Sequence, residues 1–192
     1  TAGEQTSELF DYLRYETDYD VNMIWDTILK NYHQSDIVKN LNLAYILPTN
    51  QYNKELLEEQ TKKNKIVLVM HLYFEDLLEE SYRYVSSMPE SADIYLTTDT
   101  EEKKAAIEKV FAKLPCNKLE VRVIKNRGRD VSSLLVGVKD VIMQYDIACF
   151  AHDKKTAQVK PGTIGASFAY KCFQNTLANK MYVANVINTF VN

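Results

Sequence analysis

Two short stretches of this chain concentrate the residues that could do chemistry. Asn126, Arg127, Gly128, Arg129 and Asp130 form "NRGRD" at a corner between a strand-like run and a helix-like one. His152, Asp153, Lys154, Lys155 and Thr156 form "HDKKT" directly after another strand-like run. Glycine at such a corner lets the backbone take positive φ or approach a ligand closely. A helix starting near Asp130 presents unpaired N–H groups and partial positive charge. Arginine forks match phosphate oxygens, and the two lysines add charge beside them. The guest this chemistry fits is a phosphate or diphosphate. Taken alone, the same residues could make no more than a capped helix with surface ion pairs of little worth. Their position in the fold decides between the two.

That position follows from four apolar runs, "KIVLVM" from 65, "DIYLTT" from 93, "EVRVIK" from 120 and "DIACFA" from 146, whose starts lie 28, 27 and 26 residues apart. The rhythm is that of successive βαβ units. Between the runs lie three helical stripes: Leu77, Leu78, Ser81, Tyr84, Val85 and Met88; then Ile107, Val110, Phe111 and Leu114; then Val131, Leu134, Leu135, Val138, Val141 and Ile142. Asp99, with Glu102 three residues on, predicts a capping box before the second. The fold class is α/β: a mostly parallel, Rossmann-like sheet of repeated β-α units with helices on both faces. In such a sheet the ligand sits at the carboxyl ends of the strands. Each end here carries polar residues: "HLYFED" with His71 and Tyr73, "TTDT" with Thr97, Thr98 and Asp99, then "NRGRD" and "HDKKT".

Ahead of this domain, placed at 65–192, residues 1–60 predict a helical segment. "SELFDYLRYET" opens on a capping serine, "DVNMIWDTILKNYH" sets Val21, Ile24, Trp25, Ile28 and Leu29 on one face, "SDIVKNLNLAYIL" predicts a third helix, and "KELLEEQTKKNK" a charged fourth after the linker "TNQYN". The last residues, "NVINTFVN", stop inside an apolar pattern with no cap, as in a piece of a longer chain. The acidic "LLEEQ" and "TEEKK" runs read as solvated helix faces.

With 46% hydrophobic and 26% charged residues and a net charge of −3, the chain has the balance of an ordinary globular protein and no overall attraction for nucleic acid or an anionic membrane. No apolar run reaches membrane-spanning length and no signal peptide opens the chain. Cys116, Cys149 and Cys172 are odd in number and widely spaced, which argues against disulfides and structural zinc and fits a reducing compartment. No GxGxxG follows the first strand, and neither a P-loop nor a GxSxG elbow is present.

In "VLVMHLYFEDLLEE", "DIYLTT", "VIKNRGRDVSSLL" and "YDIACFAHDKKT", by letters, order and spacing, the chain resembles the rhamnan synthesis protein F family of bacterial cell-wall and lipopolysaccharide assembly. The earlier "LRYETDYDVNMIWDTILKNYHQSDI" also looks like the segment preceding this domain in that family. The resemblance covers roughly residues 9 to 175. It implies a variant of the GT-A glycosyltransferase fold that takes a nucleotide-sugar donor, dTDP-rhamnose or a UDP-sugar. It also implies a lipid-linked glycan acceptor and a cytoplasmic location at the inner membrane face, with peripheral association through a parent protein.

By position the resemblance assigns the nucleoside to His71, Tyr73, Thr97, Thr98 and Asp99. The donor and its diphosphate fall to Asn126, Arg127, Gly128, Arg129, His152, Lys154, Lys155 and Thr156, and the catalytic roles to Asp130 and Asp153. A divalent ion, Mg2+ or Mn2+, is the cofactor such a fold uses, held by an Asp-x-Asp at the fourth strand end. This chain has Asp153 alone there, and Lys154 and Lys155 could supply the missing charge. The alternative is a non-catalytic assembly or binding module of a larger polysaccharide-synthesis protein. A phosphosugar hydrolase would need a carboxylate nucleophile that has no clear place.

Overall fold

β1 (Ile66–His71) is buried at every position. A run of consecutive apolar side chains has no face to give to water, so it must lie between two layers. The computed structural model describes residues 2–33, 46–125, 127–128, 130–155 and 169–190, with side chains from Leu9 onward, and it places β1 inside a four-stranded, all-parallel sheet. The order is β3 (Lys118–Val123), β2 (Asp93–Thr98), β1, β4 (Ile147–His152). β2 is the other interior strand and is buried from Ile94 onward. The edge strands β3 and β4 are only half-buried.

The two faces of the sheet are covered differently. α4 (Leu78–Val85), α5 (Glu101–Phe111) and α6 (Lys180–Asn188) cover one face, and residues 169–174 are helical beside them. Leu68, Met70, Ile94 and Leu96 there meet Tyr84, Ile107, Phe111, Leu177 and Val183 in one core cluster. Leu68, Met70, Ile94 and Leu96 are all fully excluded from solvent, so each contributes about 1.5–3 kcal/mol of burial free energy. The other face is thinner: Val67, Val69 and Tyr95 pack under Val138, Leu134, Val141 and Ile142.

Among the described residues three α-helices precede the sheet: α1 (Ala2–Glu16), α2 (Val21–Asn31) and α3 (Lys54–Lys63). Phe10 and Trp25 join α1 to α2 with ring centroids 5.2 Å apart. α2 is capped by Asp20, whose carboxylate accepts from Asn22 N at 2.9 Å. Ser7 falls inside α1 rather than at its start, and the helix expected over "SDIVKNLNLAYIL" lies mostly outside the described residues. α3 packs against α6, and Asn185 and Asn188 of α6 donate to the Gln51 and Asn53 carbonyls before it.

Two local expectations are corrected. The capping box shifts by one residue: Thr100, not Asp99, caps α5, accepting from Lys103 N at 3.3 Å. The third stripe does not form a regular α-helix. Its backbone widens into a π-helical turn over Ser133–Gly137, followed by a 3-10 turn over Ile142–Gln144. The turn ends on close packing at Gly137, where a Cβ would meet Ile124 Cγ2 at 3.2 Å and Thr97 Cγ2 at 3.3 Å. A side chain there would push these neighbours by a few tenths of an ångström, so glycine suits this close approach to the sheet. Leu134, Val138, Val141 and Ile142 still face the sheet, while Val131 and Leu135 are exposed.

Candidate functional site

β1, β2 and β3 lie side by side in chain order, and β4 returns to the other side of β1. The strand order therefore reverses between β1 and β4, and their carboxyl ends border a crevice. Register puts His71 beside Thr97 on one side and beside His152 on the other. Three strand ends thus meet in one row.

Within that row a buried hydrogen-bond chain runs across the sheet. His71 Nδ1 lies 2.9 Å from Thr97 Oγ1, and Thr97 Oγ1 lies 2.7 Å from Ser133 Oγ. Thr97 and Ser133 are fully buried and His71 nearly so. The π-helical turn delivers Ser133 to this point, an arrangement typical of functional sites. Burial pulls the His71 imidazole below its ordinary pKa of 6.5, more strongly than Asp99 and Asp130 push it up. His71 is therefore neutral at pH 7.

Asp153 joins the two lips of the crevice. Its Oδ2 accepts from Tyr73 N at 2.8 Å and Phe74 N at 2.7 Å, and its own N–H donates to the His71 carbonyl at 3.0 Å. Burial raises its carboxyl above the ordinary 3.8, and the two backbone donors pull the other way. His152 Nδ1 lies 2.7 Å from the Asp153 carbonyl oxygen, and His152 Nε2 lies 3.6 Å from Asp130 Oδ2.

On the β2 side, Asp99 accepts from Lys103 Nζ at 2.7 Å, and that ammonium sits 3.7 Å from the centroid of the Tyr73 ring. Lys103 thus borders the candidate site, which the reading of "TEEKK" as a solvated face missed. Its spacing of four residues from Asp99 on a helix start was the available signal. Ser133 was also missed, although a serine pair in a helical stripe is a polar interruption. The Thr98 hydroxyl is buried with no partner among the described residues, at a cost of about 1–3 kcal/mol.

The basic residues are more dispersed. Asn126, Arg129 and Thr156 lie outside the described residues. Gly128 adopts φ 94°, the positive value anticipated for the corner, and Arg127 is exposed. Lys155 pairs with Asp76 and lies 5.1 Å from the Phe74 ring centroid. Lys154 lines a cleft of about 190 Å³ with Phe150, Cys172 and Phe173. Among the described residues no group of three His, Cys, Asp or Glu could hold a metal ion. Asp153 Oδ2 is already held by two backbone donors, so the described residues do not fit a divalent ion. No described helix is long and apolar enough to cross a membrane.

A parallel sheet covered on both faces, with its strand order reversed between β1 and β4, defines a doubly wound α/β domain. The family model of rhamnan synthesis protein F matches residues 1–192, the whole chain, and the chain belongs to that family. Membership connects it with rhamnan synthesis and hence with polysaccharide biosynthesis. No curated protein and no solved structure matches it.

Proposed function

We propose that residues 65–192 form a glycosyltransferase domain of the GT-A type, transferring a sugar from a nucleoside-diphosphate donor to a growing glycan. Rhamnose from dTDP-rhamnose is the donor sugar that the family suggests, and a lipid-linked glycan at the inner membrane face is the acceptor. The observation that carries this reading is the convergence of His71, Thr97, Asp130 and His152 at the strand reversal. Three strands and one loop place polar side chains where a doubly wound sheet takes its ligand. Tyr73, braced by Lys103 and about a third exposed, offers a ring face to a nucleobase. Asp99 pairs with the same Lys103. Arg127, Arg129 and Lys154 supply charge for the diphosphate, a substitute for metal charge as it leaves.

Titration calorimetry with dTDP and UDP, with and without Mn2+, tests the reading. Binding of one of them is the expected result, and no binding at millimolar concentration contradicts it.

The second reading is a non-catalytic module within a larger polysaccharide-synthesis protein. The pairing of Lys155 with Asp76 and the use of Asp153 as a backbone acceptor favour it. Arg129→Ala in the full-length protein separates the two. Lost transfer with retained folding supports the transferase, and unchanged transfer with altered association supports the module.

A further inference from the structure

His152 closes β4 with one ring nitrogen already committed. Nδ1 is 2.7 Å from the Asp153 carbonyl oxygen. A carbonyl can only accept, so Nδ1 carries the hydrogen. In the neutral ring Nε2 is then a bare lone pair. It faces Asp130 Oδ2 at 3.6 Å, beyond hydrogen-bond reach, and two acceptors cannot bond each other in any case. Two acceptors therefore converge on one space that requires a donor.

The surrounding groups hold this geometry in place. The Asp153 carbonyl is fixed because its residue is clamped at three points: its N–H bonds the His71 carbonyl, and its carboxylate takes the N–H groups of Tyr73 and Phe74. The neighbouring His71, in register with His152, directs its Nδ1 to Thr97. The ammonium of Lys103 lies against Asp99. Among the described residues neither of these supplies the donor.

We propose that a ligand hydroxyl supplies it, and that His152 is the general base that activates the glycan hydroxyl for transfer, with Asp130 beside it. This rests on the transferase reading above. In the step, the hydroxyl oxygen bonds to the anomeric carbon of the donor. The anomeric C–O bond to the diphosphate breaks, its electron pair leaving on the diphosphate. The hydroxyl proton moves to His152 Nε2, and the resulting imidazolium faces the Asp130 carboxylate. Asp153 acts as a positioning residue through its carbonyl.

The chain has only three histidines, so nitrogen-15 imidazole spectra can be assigned with His152→Gln and His33→Gln. The neutral imidazole of His152 in the free protein is expected to carry its hydrogen on Nδ1, toward the Asp153 carbonyl, and to leave Nε2 bare. The opposite tautomer, with the hydrogen on Nε2, overturns the proposal. The tautomer is read on the wild type, and His71→Gln completes the assignment where His152→Gln fails to fold.

For His152→Gln, dTDP release from saturating dTDP-rhamnose in the presence of octyl α-rhamnoside is expected to fall about 10²–10⁴-fold, a loss in kcat rather than in donor binding. Turnover within about fivefold of wild type overturns the base assignment, as does a wild type that binds dTDP but transfers nothing to this acceptor. A wild type that binds neither dTDP nor UDP sinks the transferase reading itself. The tautomer result then reports on the two-acceptor geometry independently.

Discussion

Replacing Asp153 with alanine should separate a structural clamp from a free carboxylate. The side chain is 5% exposed, and its Oδ2 takes two backbone N–H groups at 2.8 and 2.7 Å. Hydrogen bonds to a charged acceptor contribute about 1.5–3 kcal/mol each, and each orphaned buried donor costs about 1–3 kcal/mol. Against this, burial raises the Asp153 carboxyl despite both donors, so removing the charge recovers part of the loss. The net expectation is about 3 kcal/mol for Asp153→Ala, or a fall in Tm of ~6–12 °C for a chain of this size. Asn keeps one oxygen for the two donors and sheds the buried charge, so Asp153→Asn should cost about 1 kcal/mol or less.

The pH dependence carries a sign of its own. A carboxyl raised in the folded state contributes most below its unfolded value of 3.8 and loses that contribution as pH rises through the folded value. Asp153→Asn should therefore gain on wild type as pH rises from about 4 toward neutrality. Urea denaturation of the three proteins over this range is the assay. If Ala changes stability by less than about 0.5 kcal/mol, or Asn is as damaging as Ala, the clamp account is wrong.

Three further outcomes are expected. Gly137→Ala should destabilise by about 1–3 kcal/mol in thermal melts, because its Cβ meets Ile124 and Thr97 at 3.2 and 3.3 Å; an unchanged Tm would mean the π-helical turn has room to yield. His71 is held below 6.5 by burial, so the stability it contributes is whole above that value and is lost as pH falls below it. His71→Gln should flatten the acid-side loss, and a parallel stability profile would refute this. Burial pushes the Cys149 thiol up to about 12 while Cys172 is exposed. Iodoacetamide on the folded protein should therefore label Cys172 first and leave Cys149 unlabelled, read by mass spectrometry.

The strands were the legible part of this fold, and burial explains the accuracy of each. β1 and β2 are interior, so their apolar runs stand out, and "DIYLTT" coincides with Asp93–Thr98. β3 begins two residues before the expected run, because an edge strand alternates Lys118, Glu120 and Arg122 with apolar residues and blurs its own boundary. The stripe after β3 named the residues that pack but not the backbone that carries them. A close approach at Gly137 depends on Thr97 and Ile124, which lie 40 and 13 residues earlier in the chain. In the crevice, the strand-end rule picked out His71, Thr97, Asp99, His152 and Asp153 as a group. Their pairings depend on register and loop contact, as in His71 beside His152 or Asp153 under Tyr73. No pattern along one strand encodes those.

The account's central claim is that the reversal between β1 and β4 takes a nucleoside diphosphate. Amide chemical-shift mapping on adding dTDP or UDP tests it most directly. The account predicts saturable shifts concentrated at residues 71–74, 97–99, 127–130 and 152–155. Shifts centred on another face of the sheet, or none at millimolar nucleotide, would contradict it.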